Sequence, residues 1–171
     1  MQPIASGEFD HDGLYRAQRG RLFSLCRLLL ADPHEAEEVC HEVFIKLFEQ
    51  RPAPAAPERW LTRVAVNACR DRRRAGWWRR WRERGVELVE ADHPSSGPTP
   101  EDAVVGLEER RRIWQAFRGL SPRQQEVFVL RQIEGWSTDE TVDSLGLTSG
   151  SVKRHYFRAI HHLRAALKGE R

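Results

Sequence analysis

Apolar residues recur at helical spacing through most of the chain, each set forming one side of an amphipathic segment. From Phe9 to about Leu30 the series Leu14, Tyr15, Leu22, Phe23, Leu25, Cys26 and Leu29 gives a wide stripe, with Arg16, Arg19, Arg21 and Arg27 between. Asp32-Pro33-His34 then marks a turn and restart, because aspartate accepts from the open amides of a first turn and proline fits the first helical position. The next stripe is Ala36, Val39, Cys40, Val43, Phe44 and Leu47, with Glu35, Glu37, Glu38 and Glu42 on an exposed acidic face. Pro52, Pro54 and Pro57 exclude a regular helix from Arg51 to Pro57. A third helix restarts at Pro57-Glu58, with Trp60, Leu61, Val64, Ala65 and Ala68 as its expected apolar side. A fourth begins near Glu101 and carries Val104, Leu107, Ile113, Trp114 and Phe117.

The last third has the clearest punctuation. Ser121 caps a helix with Pro122 just inside it and Gln124 and Gln125 placed where a capping side chain can reach back. Val127, Leu130 and Ile133, with Phe128 beside them, form its stripe until Gly135 ends it. Ser137 or Thr138 caps a short helix with Asp139 and Glu140 in its first turn and Val142 and Leu145 facing inward. Gly146 supplies a turn where positive φ is cheap, and Leu147 fills the corner. Thr148 or Ser149 then caps a longer helix with Val152, Tyr156, Ala159, Ile160 and Leu163 on one side. Its other side offers Ser151, Lys153, Arg154, His155, Arg158 and His162. A short helix, a glycine turn and a longer basic helix form a helix-turn-helix, whose second member enters the major groove. Lys153, Arg154 and Arg158 would anchor phosphates or guanine edges, with Ser151 and His155 as secondary readers. The predicted fold is therefore all-α: two small helical domains, 8–84 and 103–168, joined by a flexible acidic Pro/Ser/Gly linker, 85–102, with the helix-turn-helix in the second.

The formal net charge is only +3, but its distribution is uneven. Arg63, Arg70, Arg72, Arg73 and Arg74, continuing through Arg79, Arg80, Arg82 and Arg84, make a second basic surface interleaved with Trp77, Trp78 and Trp81. Those tryptophans suit packing against the helical domain or a partner better than stacking on bases. From Val86 to Glu109 the charge reverses, with acidic residues and no lysine or arginine. Within that stretch, Asp92-His93-Pro94-Ser95-Ser96-Gly97-Pro98-Thr99-Pro100 has linker composition.

Other chemistry is absent from the pattern. Cys26, Cys40 and Cys69 are odd in number and widely spaced in helical stretches, so they fit core thiols and not a disulfide framework or metal site. There is no paired-carboxylate or nucleophile–base spacing and no glycine-rich phosphate loop, so no catalytic residue, cofactor or metal is expected. No apolar run approaches the roughly 18 residues of a membrane span, and the N-terminus carries Glu8 and Asp10 without a basic-then-apolar signal. A cytoplasmic protein without membrane insertion is expected. Two other readings of the same residues are a helix-turn-helix regulator with a ligand-sensing or dimerising N-terminal half, and a protein-docking module without DNA contact.

Three longer stretches carry a resemblance: Leu28 to Val39 with Glu42 to Phe48, Trp60 to Arg74, and Leu120 to Phe128 with Gly135-Trp136-Ser137 and Ser151 to Arg154. Across nearly its whole length the chain resembles bacterial sigma-70 factors of the extracytoplasmic-function (ECF) subgroup. The resemblance implies an alternative sigma factor, not an enzyme, that binds core RNA polymerase through the β′ coiled coil and the β flap. It implies promoter DNA as a second partner and an anti-sigma factor as an inhibitor. Carried onto this chain, polymerase binding falls on the helix from Glu35 to Phe48, with Glu38, Glu42 and Lys46 on its exposed side. Recognition and melting of the −10 element fall on the loop from Gln50 to Pro57 and on Arg63, Asn67, Arg70, Arg73 and Arg74. Recognition of −35 falls on the helix from Ser149, with Ser151, Lys153, Arg154, His155 and Arg158. The tryptophan cluster after Arg74 and the sequence His155-Tyr156-Phe157 depart from the family pattern.

Overall fold

The computed structural model describes residues 10–82 and 100–168, and the side chains within them except those of 77–82 and 100–105. Most of the expected linker, the helix entry at Phe9, Arg84 and the side chains of Trp77, Trp78, Trp81, Arg79, Arg80, Arg82 and Val104 lie outside the described residues. The chain divides into two compact units near residue 90, and every described regular element is helical.

In the first unit, α1 (His11–Leu30), α2 (Pro33–Glu49) and α3 (Pro57–Arg82) pack on one another. The Asp10 carboxylate accepts from the Gly13 amide at 2.8 Å, and Asp32 accepts from His34 and Glu35 at 2.8 and 3.0 Å. These caps satisfy donors that the helices cannot satisfy internally. The core joins Leu22, Leu25, Cys26 and Leu29 of α1 to Ala36, Val39, Cys40, Val43, Phe44 and Leu47 of α2.

On α3 the buried side differs from the expected one. Leu61, Thr62, Ala65, Val66 and Cys69 are buried, whereas Trp60, Val64 and Ala68 lie at the edge. A threonine turns inward because its hydroxyl is satisfied there: it donates to the Glu58 carbonyl at 3.1 Å and accepts from Arg21 Nη1 at 3.0 Å. Tyr15 meets Phe44 edge-on at 4.8 Å, closing one end of the core.

The second unit contains α4 (Pro100–Arg118), α5 (Pro122–Phe128), a π-helical turn (Val129–Ile133), α6 (Thr138–Leu145) and α7 (Ser149–Lys168). α7 packs against α4, α5 and α6. Ser121 with Gln124, and Ser137 with Glu140, form reciprocal capping boxes, which settles the first two caps. Gln125 is instead buried and donates Nε2 to the Phe117 carbonyl at 3.1 Å. The wider π turn shifts the helical phase, so Val129 and Leu130 are buried and Ile133 is half exposed. Trp136 tucks into the core after Gly135, whose φ is +69°.

Five further positions depart from the apolar pattern. On α6, Thr141 and Ser144 are buried with Leu145 while Val142 is only half buried. Thr141 can face inward because its hydroxyl donates to the Ser137 carbonyl at 2.8 Å. On α4, Leu107 and Ile113 are exposed and the buried contribution comes from Ala116 and Phe117. The core of this unit is completed by Leu120, Val127, Val152 and Ala159.

Candidate nucleic-acid interface

Helix geometry sorts the basic residues of α3. Arg63, Asn67, Arg70 and Arg74 are spaced so that, at about 100° per residue, they share one side within roughly 60°. That side lies opposite Leu61, Ala65 and Cys69. Arg63 and Arg74 are exposed, Asn67 and Arg70 are partly buried, and Arg73 lies partly buried at the flank of the set. The Arg51–Ala56 loop precedes this helix, and Arg51 Nη1 donates to the Phe48 and Gln50 carbonyls at 2.8 and 3.0 Å. A basic face with an amide between its arginines can hold a phosphate backbone and offer hydrogen bonds to an unstacked base.

The acidic face of α2 is less independent than its sequence implies. Glu38, Glu42 and Lys46 are exposed on neighbouring turns. Glu38 and Glu42 both accept from one guanidinium of α3, that of Arg72, at 2.6 Å each. Arg72 therefore holds its proton even more firmly than an ordinary arginine, with the Glu38 hydrogen bond the largest cause. On the other edge Arg19 of α1 reaches Glu37 at 3.3 Å. Between α1 and α2, His11, Asp12, Tyr15, His41, Phe44, Ile45 and Phe48 line an open, mainly apolar groove of about 390 Å³.

The helix-turn-helix is built by α6, Gly146 and α7. Gly146 has φ +63°, and its amide donates to the Val142 carbonyl at 2.9 Å. Thr148 is the cap of α7: its Oγ1 accepts from the Ser151 amide at 3.2 Å and lies 3.0 Å from the Ser151 hydroxyl. Ser151 is thus tied into the helix start. Lys153, Arg154 and Arg158 are exposed along one arc of α7. Phe157, absent from the expected set, stands in that arc with 65% of its surface exposed and its ring 5.0 Å from His161. The helical register, which puts Val152, Tyr156 and Ala159 on the other side, turns it outward.

His155 occupies the edge of the arc, half buried, with Nδ1 facing inward and no hydrogen-bond partner among the described residues. Burial, followed by Arg123, Arg158 and Arg154, lowers its pKa below the usual 6.5, against an opposing pull from Glu126. Tyr156 sits at the core edge as expected, donating to Gln132 Oε1 at 2.5 Å while Arg131 lies 5.4 Å from its ring centroid. Arg131 also donates to the Trp136 carbonyl, so the π turn is fastened to both α7 and the segment after Gly135.

The cysteines are buried on three different helices. Cys26 has its thiol pKa raised, first by hydrogen bonding with Cys69 and then by burial, and burial pushes Cys40 up to about 11. Neither carries thiolate at neutral pH, so neither is an activated nucleophile. No cluster suited to a metal ion exists among the described residues.

The model of sigma-70 region 2 matches residues 14–79, and that of sigma-70 region 4 matches residues 110–163. The chain belongs to the sigma-70 family, in its ECF subgroup. The RNA polymerase sigma-E factor of Streptomyces coelicolor is 29% identical over 89% of this chain and 82% of its own length. The ECF RNA polymerase sigma factor SigW of Bacillus subtilis is 28% identical over 88% of this chain and 84% of its own length. Among solved structures, the sigma factor RpoE of Bartonella quintana, crystallised with the anti-sigma factor NepR, has a TM-score of 0.73 at 19% identity. That likeness covers 95% of this chain and 99% of RpoE, and it concerns the fold. A sigma factor is not an enzyme; this one acts by binding core RNA polymerase and recognising promoters. No described helix is long and apolar enough to cross a membrane.

Proposed function

We propose that this sigma factor divides promoter recognition between α3 and α7 and docks on polymerase through α2. The observation that carries the division is the alignment of Arg63, Asn67, Arg70 and Arg74 on the side of α3 opposite its core, far in sequence from the basic arc of α7. In the domain 8–84, Asn67 and Arg63 hold an unstacked −10 base, and Arg70, Arg73 and Arg74 hold the backbone of the opened strand, with the Gln50–Pro57 loop beside them. Unstacking costs a few kcal/mol per base, so a pocket that binds only the flipped form promotes melting.

In the domain 103–168, Arg154 reads the −35 duplex while Lys153 and Arg158 contact phosphates. A bidentate arginine contributes about 1–3 kcal/mol of discrimination between bases. Phe157 supplies an apolar surface suited to a thymine methyl, and Ser151 and His155 flank the contact. Glu38, Glu42 and Lys46 face the β′ coiled coil, and the second domain meets the β flap. The linker, 85–102, tethers the two domains so that binding by one raises the effective concentration of the other. An anti-sigma factor, the class of partner crystallised with RpoE, would act by covering the α2 face and its apolar groove. A protein that acts on core polymerase and promoter DNA works in the cytoplasm.

The test adds purified protein to sigma-free core polymerase and maps transcription starts on a genomic library. Specific starts sharing spaced −35 and −10 elements are expected. Arg154→Ala should relax base preference at one −35 position, and Asn67→Ala should impair opening while leaving −35 preference intact. Absence of specific starts, with any co-purifying inhibitor removed, would refute the assignment. Core-independent binding to a palindromic duplex would favour an ordinary regulator.

A further inference from the structure

Two elements with different proposed tasks, α2 and α3, are joined by one side chain. Arg72 donates from Nη1 to Glu38 Oε2 and from Nη2 to Glu42 Oε1, both at 2.6 Å. It sits about 180° around α3 from Arg63, given about 100° per residue, so it points away from the proposed strand-holding side. Glu38 and Glu42 stand one turn apart on α2, where two like charges repel and favour separate, solvated rotamers. The guanidinium fork spans both at once, which a single ammonium on a flexible stem does less well. Arg72 is 29% exposed, whereas Glu38 and Glu42 are 63% and 48% exposed. The carboxylates are therefore held from behind while their outer surfaces remain open.

We propose that Arg72 is the positioning residue of polymerase docking, presetting Glu38 and Glu42 as an ordered pair on α2. This rests on the reading of α2 as the polymerase face. The same clasp fixes α2 against α3, so the docking face and the strand-holding face keep one geometry. Simple electrostatics gives the opposite sign for loss of Arg72: removing a cation beside an acidic face strengthens its attraction for a basic partner. Presetting gives weaker docking, because each released side chain must be ordered again on binding.

The experiment measures affinity of the full chain for core polymerase at physiological salt, in wild type, Arg72→Ala, Arg72→Lys, Glu38→Gln/Glu42→Gln and the triple variant Arg72→Ala/Glu38→Gln/Glu42→Gln. Arg72→Ala should bind about five- to tenfold more weakly, the effect of reordering two side chains, and Arg72→Lys should fall between it and wild type. In the double-glutamine background, adding Arg72→Ala should have no further effect, which separates positioning from a general loss of structure. Unchanged or tighter binding by Arg72→Ala overturns the proposal, as does an equal loss in both backgrounds. If the double-glutamine variant itself binds core like wild type, the polymerase-face reading fails and takes the proposal with it. If that variant is weakened and Arg72→Ala is not, only the positioning role fails.

Discussion

The scaffold that presents α7 contains a carboxylate almost sealed from water, and its partner sets a measurable stability. Glu126 on α5 is 1% exposed and accepts from Arg123 Nη1 at 3.0 Å, while Arg123 is 33% exposed. Replacing Arg123 by methionine keeps most of the apolar stem and removes the charge. Losing one partner of a fully buried pair costs roughly 3–5 kcal/mol, because the remaining charge is left without its counter-ion. Here solvent reaches the arginine and other contacts to Glu126 remain, so the expected loss is about 1–3 kcal/mol.

For a domain of this size each kcal/mol moves Tm by about 4–8 °C. Because the chain has two units, the readout should be local: native-state hydrogen exchange of α5 and α7 amides, compared with those of α1 to α3. Protection should fall in α5 and α7 and stay unchanged in the first unit. The double variant Arg123→Met/Glu126→Leu, with both charges removed, should be more stable than Arg123→Met alone. If Arg123→Met is within about 0.5 kcal/mol of wild type, the scale of an ordinary surface change, or if the double variant is the worse of the two, the buried-pair reasoning is wrong.

Three other outcomes follow from the same scaffold. His155 has its pKa below 6.5 in the folded chain, so the unfolded chain binds the proton more readily. The stability it contributes is present above about pH 6.5 and lost as pH falls through the folded value. Denaturation at a series of pH values should thus show wild type losing more stability on acidification than His155→Gln, and parallel curves would contradict this. Gly146 has φ +63° and nothing within 4 Å of a built Cβ, so Gly146→Ala should cost about 1–2 kcal/mol from backbone conformation alone. Gly146→Asn should cost less, as unfolding midpoints would reveal. Native protein should resist alkylation at Cys26, Cys40 and Cys69 at neutral pH and react only after unfolding; fast labelling by mass spectrometry would show that burial does not govern these thiols.

Much of the fold was legible because helix signals are local. Ser121, Ser137, Asp32 and Gly146 act within one turn of themselves, and each does what its residue type implies. The errors arise where a distant partner changes the rule. Thr62 is buried because Arg21, far back in sequence, satisfies its hydroxyl, and this turns α3 away from the side that Trp60 and Val64 suggested. The π turn at Val129–Ile133 has no clear residue signature, yet it moves Ile133 out of the core. For the candidate site, Lys153, Arg154 and Arg158 could be located from helical period alone. The same period puts Phe157 in that arc, although its apolar type kept it out of the expected set, and the engagement of Glu38 and Glu42 by Arg72 required the packing of two helices.

The arginine run of α3 depends on packing in the same way. Arg70, Arg72, Arg73 and Arg74 are nearly consecutive and chemically identical, so composition assigns all four to nucleic acid. At about 100° per residue they spread around more than half the helix. Arg70 and Arg74 fall with Arg63 and Asn67, Arg73 lies at the flank, and Arg72 reaches the acidic turn pair of α2. A charge count over this run therefore overstates the cations available to a DNA strand. Substituting Arg72 and Arg74 in turn would remove the same formal charge with different expected consequences: the first acts on the proposed docking face through Glu38 and Glu42, and the second on the proposed strand-holding face directly. Their separation is a property of helical angle, and it would let one short basic segment serve the two proposed surfaces without either neutralising the other.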